Sequence, residues 1–259
     1  MAVGLSDDLN SYADSGNLHA GLFQKEKMVV KEQNLPPILA EAAGAMGIAL
    51  GERERILFSS YHRELLLWNK KINLVSVKSP DEIMIKHFVD SLTPVPFIKN
   101  REELALNEEK GKVLDIGTGA GFPGIPLKIA IDSLKVCLLD VSRKKASFLK
   151  HIVRTLGLGE TTVIQERVEE VMEREIYRQA FDVVISRAAF KLPQFLSMGA
   201  FFLSPDGILI AMKGPNIKGE ELRDAAATSS ELGMTCVDCH DLRLPIIGDL
   251  RKIMIYKKS

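Results

Sequence analysis

Three glycines at alternate positions, Gly117, Gly119 and Gly121, follow the short apolar run Val113-Leu-Asp-Ile116 and lead into Phe122-Pro-Gly124. A strand that enters such a bend brings backbone close to a ligand, because glycine has no Cβ and takes left-handed conformations freely. The helix expected beyond it adds unbonded N–H groups and the positive end of its dipole. Two cargoes suit that arrangement: a pyrophosphate, or the methionine part of S-adenosylmethionine. Spacing and charge separate them. A dinucleotide fingerprint, G-x-G-x-x-G, needs glycine at 122, where Phe122 stands, and Gly124 does not restore the spacing. Asp115, at the strand end, would repel a diphosphate but suits a ligand carrying an ammonium and a sulfonium. A tight turn whose glycines serve packing only is the competing reading.

Further chemistry lies at later strand ends. Asp140 closes the second strand, where a carboxylate accepts from the ribose hydroxyls of an adenosine, or serves the helix that starts near Ser142. Arg167-Val168-Glu169 ends the third, where backbone near Val168 and the Glu169 carboxylate would meet an adenine edge; a surface acid at 169 is the alternative. Arg187, in Ser186-Arg-Ala188, ends the fourth beside the expected crevice. It is a candidate to hold a substrate phosphate, a base edge or the cofactor carboxylate, or to form a structural ion pair. Lys213, before Gly214, is the matching candidate after the fifth strand.

These residues need a frame, and the sequence pattern supplies one. From Lys112 onward, strands alternate with helices: strands at 112–116, 135–140, 161–165, 181–186 and 208–212, with a Ser204-Pro-Asp-Gly207 turn before the last. Helices are expected through Ile131, from Ser142 to Gly157, at 168–179, at 192–203 and at 218–232. Strands at 234–241 and 252–256 follow with no helix between. Repeated strand–helix units imply a parallel sheet with right-handed crossovers, and the closing pair implies an antiparallel edge. Ahead of the sheet, residues 36 to about 98 read as helical: Pro36 to Leu50, then a face of Leu57, Tyr61, Leu65 and Trp68, then Asp81 to Leu92 after a Ser79-Pro80-Asp81 start signal. Residues 1–35 read as a flexible extension, 36–110 as a small helical module with a charged connector from Asn100, and 111–259 as the sheet domain.

Composition excludes several classes. Of 259 residues, 46% are hydrophobic and 26% charged, the balance of an ordinary globular protein. No apolar run is long enough for a membrane span, and the start lacks the order of a secretory signal. Lys plus Arg (34) equals Asp plus Glu (34), so any nucleic-acid contact must be a local patch. Three cysteines exclude a disulfide scaffold. Cys236-Val-Asp-Cys239-His240 spells a haem-attachment string. A strand there would send the two thiols to opposite faces, and without an export signal the pattern reads as two unconnected strand cysteines. No metal site is expected.

Gly117-Thr-Gly-Ala-Gly-Phe-Pro-Gly-Ile-Pro-Leu127 closely resembles the first motif of the RsmG family, also called GidB, the bacterial 16S rRNA guanine-N7 methyltransferases. Trp68-Asn69 with Asn73-Leu74, His87 with Asp90-Ser91-Leu92, Arg167-Val-Glu-Glu170, Ser186-Arg-Ala188 and Lys213-Gly214 match its other blocks in order. The resemblance covers roughly residues 36–257. It implies a Rossmann-like class I methyltransferase fold: α/β, a seven-stranded, mostly parallel sheet with a C-terminal antiparallel hairpin, and a small N-terminal helical module. It also implies S-adenosylmethionine as cofactor, with Gly117 and Phe122 lining its loop, Val168 and Glu169 at the adenine, and Arg187 completing the site. The implied partner is 16S rRNA or the small ribosomal subunit, met by a cytoplasmic monomer without metal or membrane. Lys70, Lys71, Arg143, Lys144, Lys145, Arg251 and Lys252 are basic candidates for RNA contact, while His87 and Trp68 are expected to pack within the helical module. Residues 1–35 and the Cys236–His240 string fall outside the family pattern. Methylation of a protein or small molecule, and a non-catalytic ribosome-associated module, are the alternatives; methyl transfer to ribosomal subunits against RNA-stripped extract separates the first, and S-adenosylmethionine binding without transfer marks the second.

Overall fold

The computed structural model describes residues 37–76, 80–99 and 111–259. The extension, the connector from Asn100 and the Ser79 start signal lie outside them. Seven strands form one sheet: β1 (Lys112–Ile116), β2 (Lys135–Leu139), β3 (Thr161–Ile164), β4 (Phe181–Arg187), β5 (Leu203–Lys213), β6 (Met234–Arg243) and β7 (Leu250–Lys258). Their order is β3-β2-β1-β4-β5-β7-β6. The first five run parallel; β7 joins β5 antiparallel and pairs with β6 in a hairpin. The order reverses at β1, with β2 on one side and β4 on the other. At that switch point an open α/β sheet has its ligand crevice, outside the strands' carboxyl ends.

The helices are α1 (Pro37–Ala45), α2 (Glu52–Ile72), α3 (Pro80–Ile83), α4 (Asp90–Leu92), α5 (Val95–Lys99), α6 (Gly124–Ala130), α7 (Arg143–Thr155), α8 (Val168–Met172), α9 (Leu192–Phe202) and α10 (Gly219–Glu231). Between α3 and α4 the chain is wound as a π-helix over Met84–Val89. Phe58, Tyr61 and Leu65 are the buried stripe of α2, which stops at Asn73 in the left-handed region (φ 47°). In α7, Ala146, Phe148, Leu149 and Ile152 face inward, and the Ser142 hydroxyl accepts from the Lys145 N–H at 3.5 Å.

Aromatic packing joins the helical segment to the sheet domain. The Tyr61 ring lies 5.0 Å from Phe88, 5.5 Å from Phe122 and 6.3 Å from Phe148, centroid to centroid. Trp68 packs on Phe148 of α7, not within the helical segment as expected. Residues of α2 and the π-turn thereby share one hydrophobic core with α6, α7 and the near face of the sheet. A second core under α8, α9 and α10 covers the far face.

Four elements depart from the sequence reading. α1 ends at Ala45, not Leu50. The helix expected over 168–179 stops at Met172, because Glu173, Arg174 and Glu175 are exposed and only Val168 and Val171 have a core to enter. The turn at Ser204–Gly207 is instead part of β5, with a register irregularity against β4. Gly207 permits it: a Cβ there would lie 2.9 Å from the Asp182 carbonyl oxygen. In β6, an irregularity at Val237 undoes strict alternation, so Cys236 and Cys239 face the same side.

The Tyr61 hydroxyl is buried and donates to the Ala120 carbonyl at 2.5 Å, fastening α2 to the glycine bend. Tyr61→Phe leaves that carbonyl without its donor and is expected to lower stability by about 1–2 kcal/mol. A urea titration checks this through the midpoint, at unchanged slope.

Candidate active site

The glycine bend is held from below by one carboxylate and from the side by another. Asp115, wholly buried, accepts through Oδ2 from the Thr118 hydroxyl at 2.6 Å and the Gly124 N–H at 2.8 Å. Its Oδ1 is buried without a partner. Burial pushes this carboxyl up to about 7, against the downward pull of its bonds to Thr118 and Gly124. Asp140 accepts through Oδ2 from the Gly119 N–H at 2.9 Å and through Oδ1 from the Ser142 N–H at 2.8 Å. It thus ties the bend to the start of α7. A carboxylate has about four acceptor positions, so Asp140 keeps capacity for ribose hydroxyls.

Two glycines show what the bend requires. Gly121 has φ 101°, and a Cβ there would strike Ile125 at 2.4 Å and the Tyr61 hydroxyl at 2.7 Å. Gly119 also has positive φ (64°), yet a Cβ would meet nothing nearer than the Lys145 ammonium at 3.9 Å. One glycine is closed by protein, while the other keeps its backbone open to a ligand. Gly117 (φ 73°) begins the bend against Ala189, and the peptide between Phe122 and Pro123 is cis. The residues fit S-adenosylmethionine: backbone open at Gly119, acceptor capacity at Asp140, and an uncompensated buried oxygen on Asp115 next to where a cation would lie. Asp115 itself does not reach the surface, so its action on a cation is through the field. On the β3 side, Val168 is buried at the first turn of α8 and Glu169 is exposed.

Arg187 leaves the end of β4 and crosses to the π-turn. It donates to the Lys86 carbonyl at 2.9 Å, to Asp90 Oδ2 at 3.0 Å and to His87 Nδ1 at 2.7 Å, and its guanidinium lies 5.3 Å from the Phe122 ring. The ion pair weighed as its alternative role is therefore present. His87 stacks on Phe122 at 5.1 Å, so it packs on the glycine bend where contact within the helical segment was expected. Burial first, and then the Arg187 charge, lower its pKa to about 4. The ring is neutral, accepts through Nδ1 and carries its proton on Nε2. Asp90, buried on α4, also receives Arg251 Nε at 3.2 Å, so one carboxylate draws together residues 97 and 161 positions away. Lys213 donates to the Phe190 carbonyl at 2.6 Å and to Glu221 at 2.9 Å, which holds the Glu221 carboxyl below its ordinary value.

Beside this network is a cavity of about 490 Å³. Arg187, Lys213, Arg251 and Lys252 line one side and His87, Lys86 and Glu82 the other. Of the basic candidates, Arg251 and Lys252 thus reach the crevice, and Lys145 stands 3.8 Å from Asp140. Lys70 and Lys71 lie in the last turn of α2, with Arg143 and Lys144 in the first turn of α7. Sequence reasoning missed Glu82, Lys86 and the role of Asp90. The H-x-x-D spacing of His87 and Asp90 was the available signal, since three residues apart on a helix places both on one face.

A β1 strand, a glycine bend, an acid at the end of β2 and a sheet closed by an antiparallel β6–β7 hairpin define a Rossmann-like class I methyltransferase. The family model of rRNA small subunit methyltransferase G, GidB, matches residues 55–243. A Syntrophus aciditrophicus protein named ribosomal RNA small subunit methyltransferase G is 44% identical over 223 residues, 86% of this chain and 89% of its own length. One of the same name from Carboxydothermus hydrogenoformans is 41% identical over 208 residues, 80% and 85% of the two chains. The chain belongs to the rRNA small subunit methyltransferase G family, and S-adenosylmethionine is its methyl donor.

Asp115 and His87 act on stability in opposite senses. A carboxyl raised from 3.8 to about 7 contributes stability that is complete below pH 3.8 and lost as pH climbs through 7. A histidine lowered from 6.5 to about 4 contributes stability present above pH 6.5 and lost as pH falls through 4. Asp115→Asn removes the first effect, so its stability should fall more steeply than wild type between pH 6.5 and 4. Parallel slopes in urea titrations across that window would contradict the assignment.

Proposed function

We propose that the chain transfers the methyl group of S-adenosylmethionine to N7 of a single guanine in bacterial 16S rRNA, free or within the small subunit, acting as a cytoplasmic monomer. The observation that carries this reading is the basic cavity at the ends of β4 and β5, which shares the Phe122–His87–Arg187 stack with the glycine bend. Its volume suits a nucleotide, and its cations suit an RNA backbone. No helix among the described residues is long and apolar enough to cross a membrane.

Bound S-adenosylmethionine supplies an electrophilic methyl on a cationic sulfur. In the proposed arrangement, Gly117, Gly119, Gly121 and Phe122 form its loop, Asp140 accepts from the ribose, and Val168 and Glu169 meet the adenine. Arg187 and Lys213 position the substrate from the facing wall. Guanine N7 carries a lone pair and no proton, so no general base is needed; holding the base in line and excluding water supply the acceleration. Neutral His87 is among the residues lining the cavity. Glu82 on the cavity wall is paired with Lys86 at 2.5 Å, so it helps to shape the wall and does not supply a free charge.

Two measurements test this. Reverse-transcription mapping of N7-methylguanosine in 16S rRNA should show one site present with the gene and absent without it; an unchanged map overturns the proposal. In vitro, kcat should be flat from pH 6 to 9, whereas KM for S-adenosylmethionine should fall as pH rises through about 7, when Asp115 ionises. A bell-shaped kcat profile set by one side chain contradicts a mechanism without a base.

A further inference from the structure

Cys236 and Cys239 sit on β6 and are not among the residues lining the cavity. Cys236 pairs with Tyr256, Asp238 with Ile255 and Cys239 with Met254, so Val237 is the extra residue. Tyr256 and Met254 are two apart on β7 and face one side, so both cysteines do too, and both are exposed. His240 pairs with Ile253 and turns to the other face, against Phe97 at 4.7 Å. The haem-like string is thereby split between two faces.

Two strand positions at ~3.3 Å rise set the cysteine Cα atoms roughly 6.6 Å apart with parallel Cβ directions. That is the far limit for a disulfide, whose Cβ atoms must also approach to about 4 Å. Two thiols on one face at that spacing can turn by a rotamer change to bracket one atom held by bonds of about 2.3 Å. Among the described residues, no group of three or more His, Cys, Asp and Glu converges to hold a metal, whereas structural zinc takes four donors. A pair of thiolates selects a soft cation of low coordination number. The Lys252 ammonium, bound to Asp241 at 2.5 Å, also lies 3.9 Å from Cys239 Sγ, where it can turn one N–H toward the bound thiolate. A thiol must lose its proton to bind a metal, so binding strengthens as pH rises.

We propose that Cys236 and Cys239 form a dithiolate site for one soft monovalent cation of the copper(I) class. Both S–H groups lose a proton to solvent, two sulfur–metal bonds form, and no electron is transferred. The test is an anaerobic titration of the reduced full chain with copper(I) against bicinchoninate, read from the chelator's absorbance. Wild type should withdraw one equivalent. Cys236→Ser and Cys239→Ser should each weaken binding by at least ~100-fold, and Lys252→Met by roughly 10-fold, the scale of a lost outer partner. Cys137→Ala, which alters the buried thiol on β2, should bind as wild type does. The proposal is overturned if wild type leaves the chelator complex intact, if both serine variants still withdraw one equivalent, or if zinc(II) binds as tightly as copper(I).

Discussion

Burying an acid at the carboxyl end of β1 is the constraint on which the site depends. Asp115 is wholly enclosed, and its Oδ2 is satisfied only because the chain turns back at once to present Thr118 and Gly124. That reversal demands left-handed backbone at Gly117, Gly119 and Gly121. It also brings Phe122 up against Tyr61 and His87. The glycine spacing, the aromatic contact with α2 and the unobstructed Cα at Gly119 are thus consequences of one desolvated carboxylate. Its second oxygen is unpartnered, so the ionised form leaves a negative field beneath the bend that a proton or a bound cation relieves.

A second buried acid organises the opposite wall. Asp90 holds Arg187 from β4 and Arg251 from β7, fixing two guanidiniums whose long side chains would otherwise wander. The π-helical winding of Met84–Val89 just before it brings the Lys86 carbonyl and His87 Nδ1 to Arg187. π-turns inside helices are rare and concentrate at functional sites. The loop and the cavity are therefore joined through Arg187, His87 and Phe122.

Much of this was legible before any coordinates. The strands of the sheet are apolar runs bounded by turn residues, so β1 to β4 appear within a residue or two of their expected ends. The glycine spacing, read with Phe122 and Asp115, argues against a dinucleotide loop. What stayed hidden depends on long-range pairing. No local pattern tells that Asp90 meets Arg251, or that Trp68 packs on Phe148 across the junction. The same holds for β6: alternation placed the two thiols on opposite faces, and one inserted residue, visible only in the register with β7, reversed that. The helix after Arg167 failed for a different reason, since helical spacing continued beyond the surface available to bury it.

The central claim is that the bend at Gly117–Gly121 holds a sulfonium-bearing nucleoside and not a dinucleotide. Calorimetric titration with S-adenosylhomocysteine and with NADH, followed by amide shift mapping, tests it most directly. Saturable 1:1 binding of S-adenosylhomocysteine that moves the Gly119 and Val168 amides, with no heat from NADH, is the expected result. Binding of NADH to those same amides, with S-adenosylhomocysteine silent, contradicts the account.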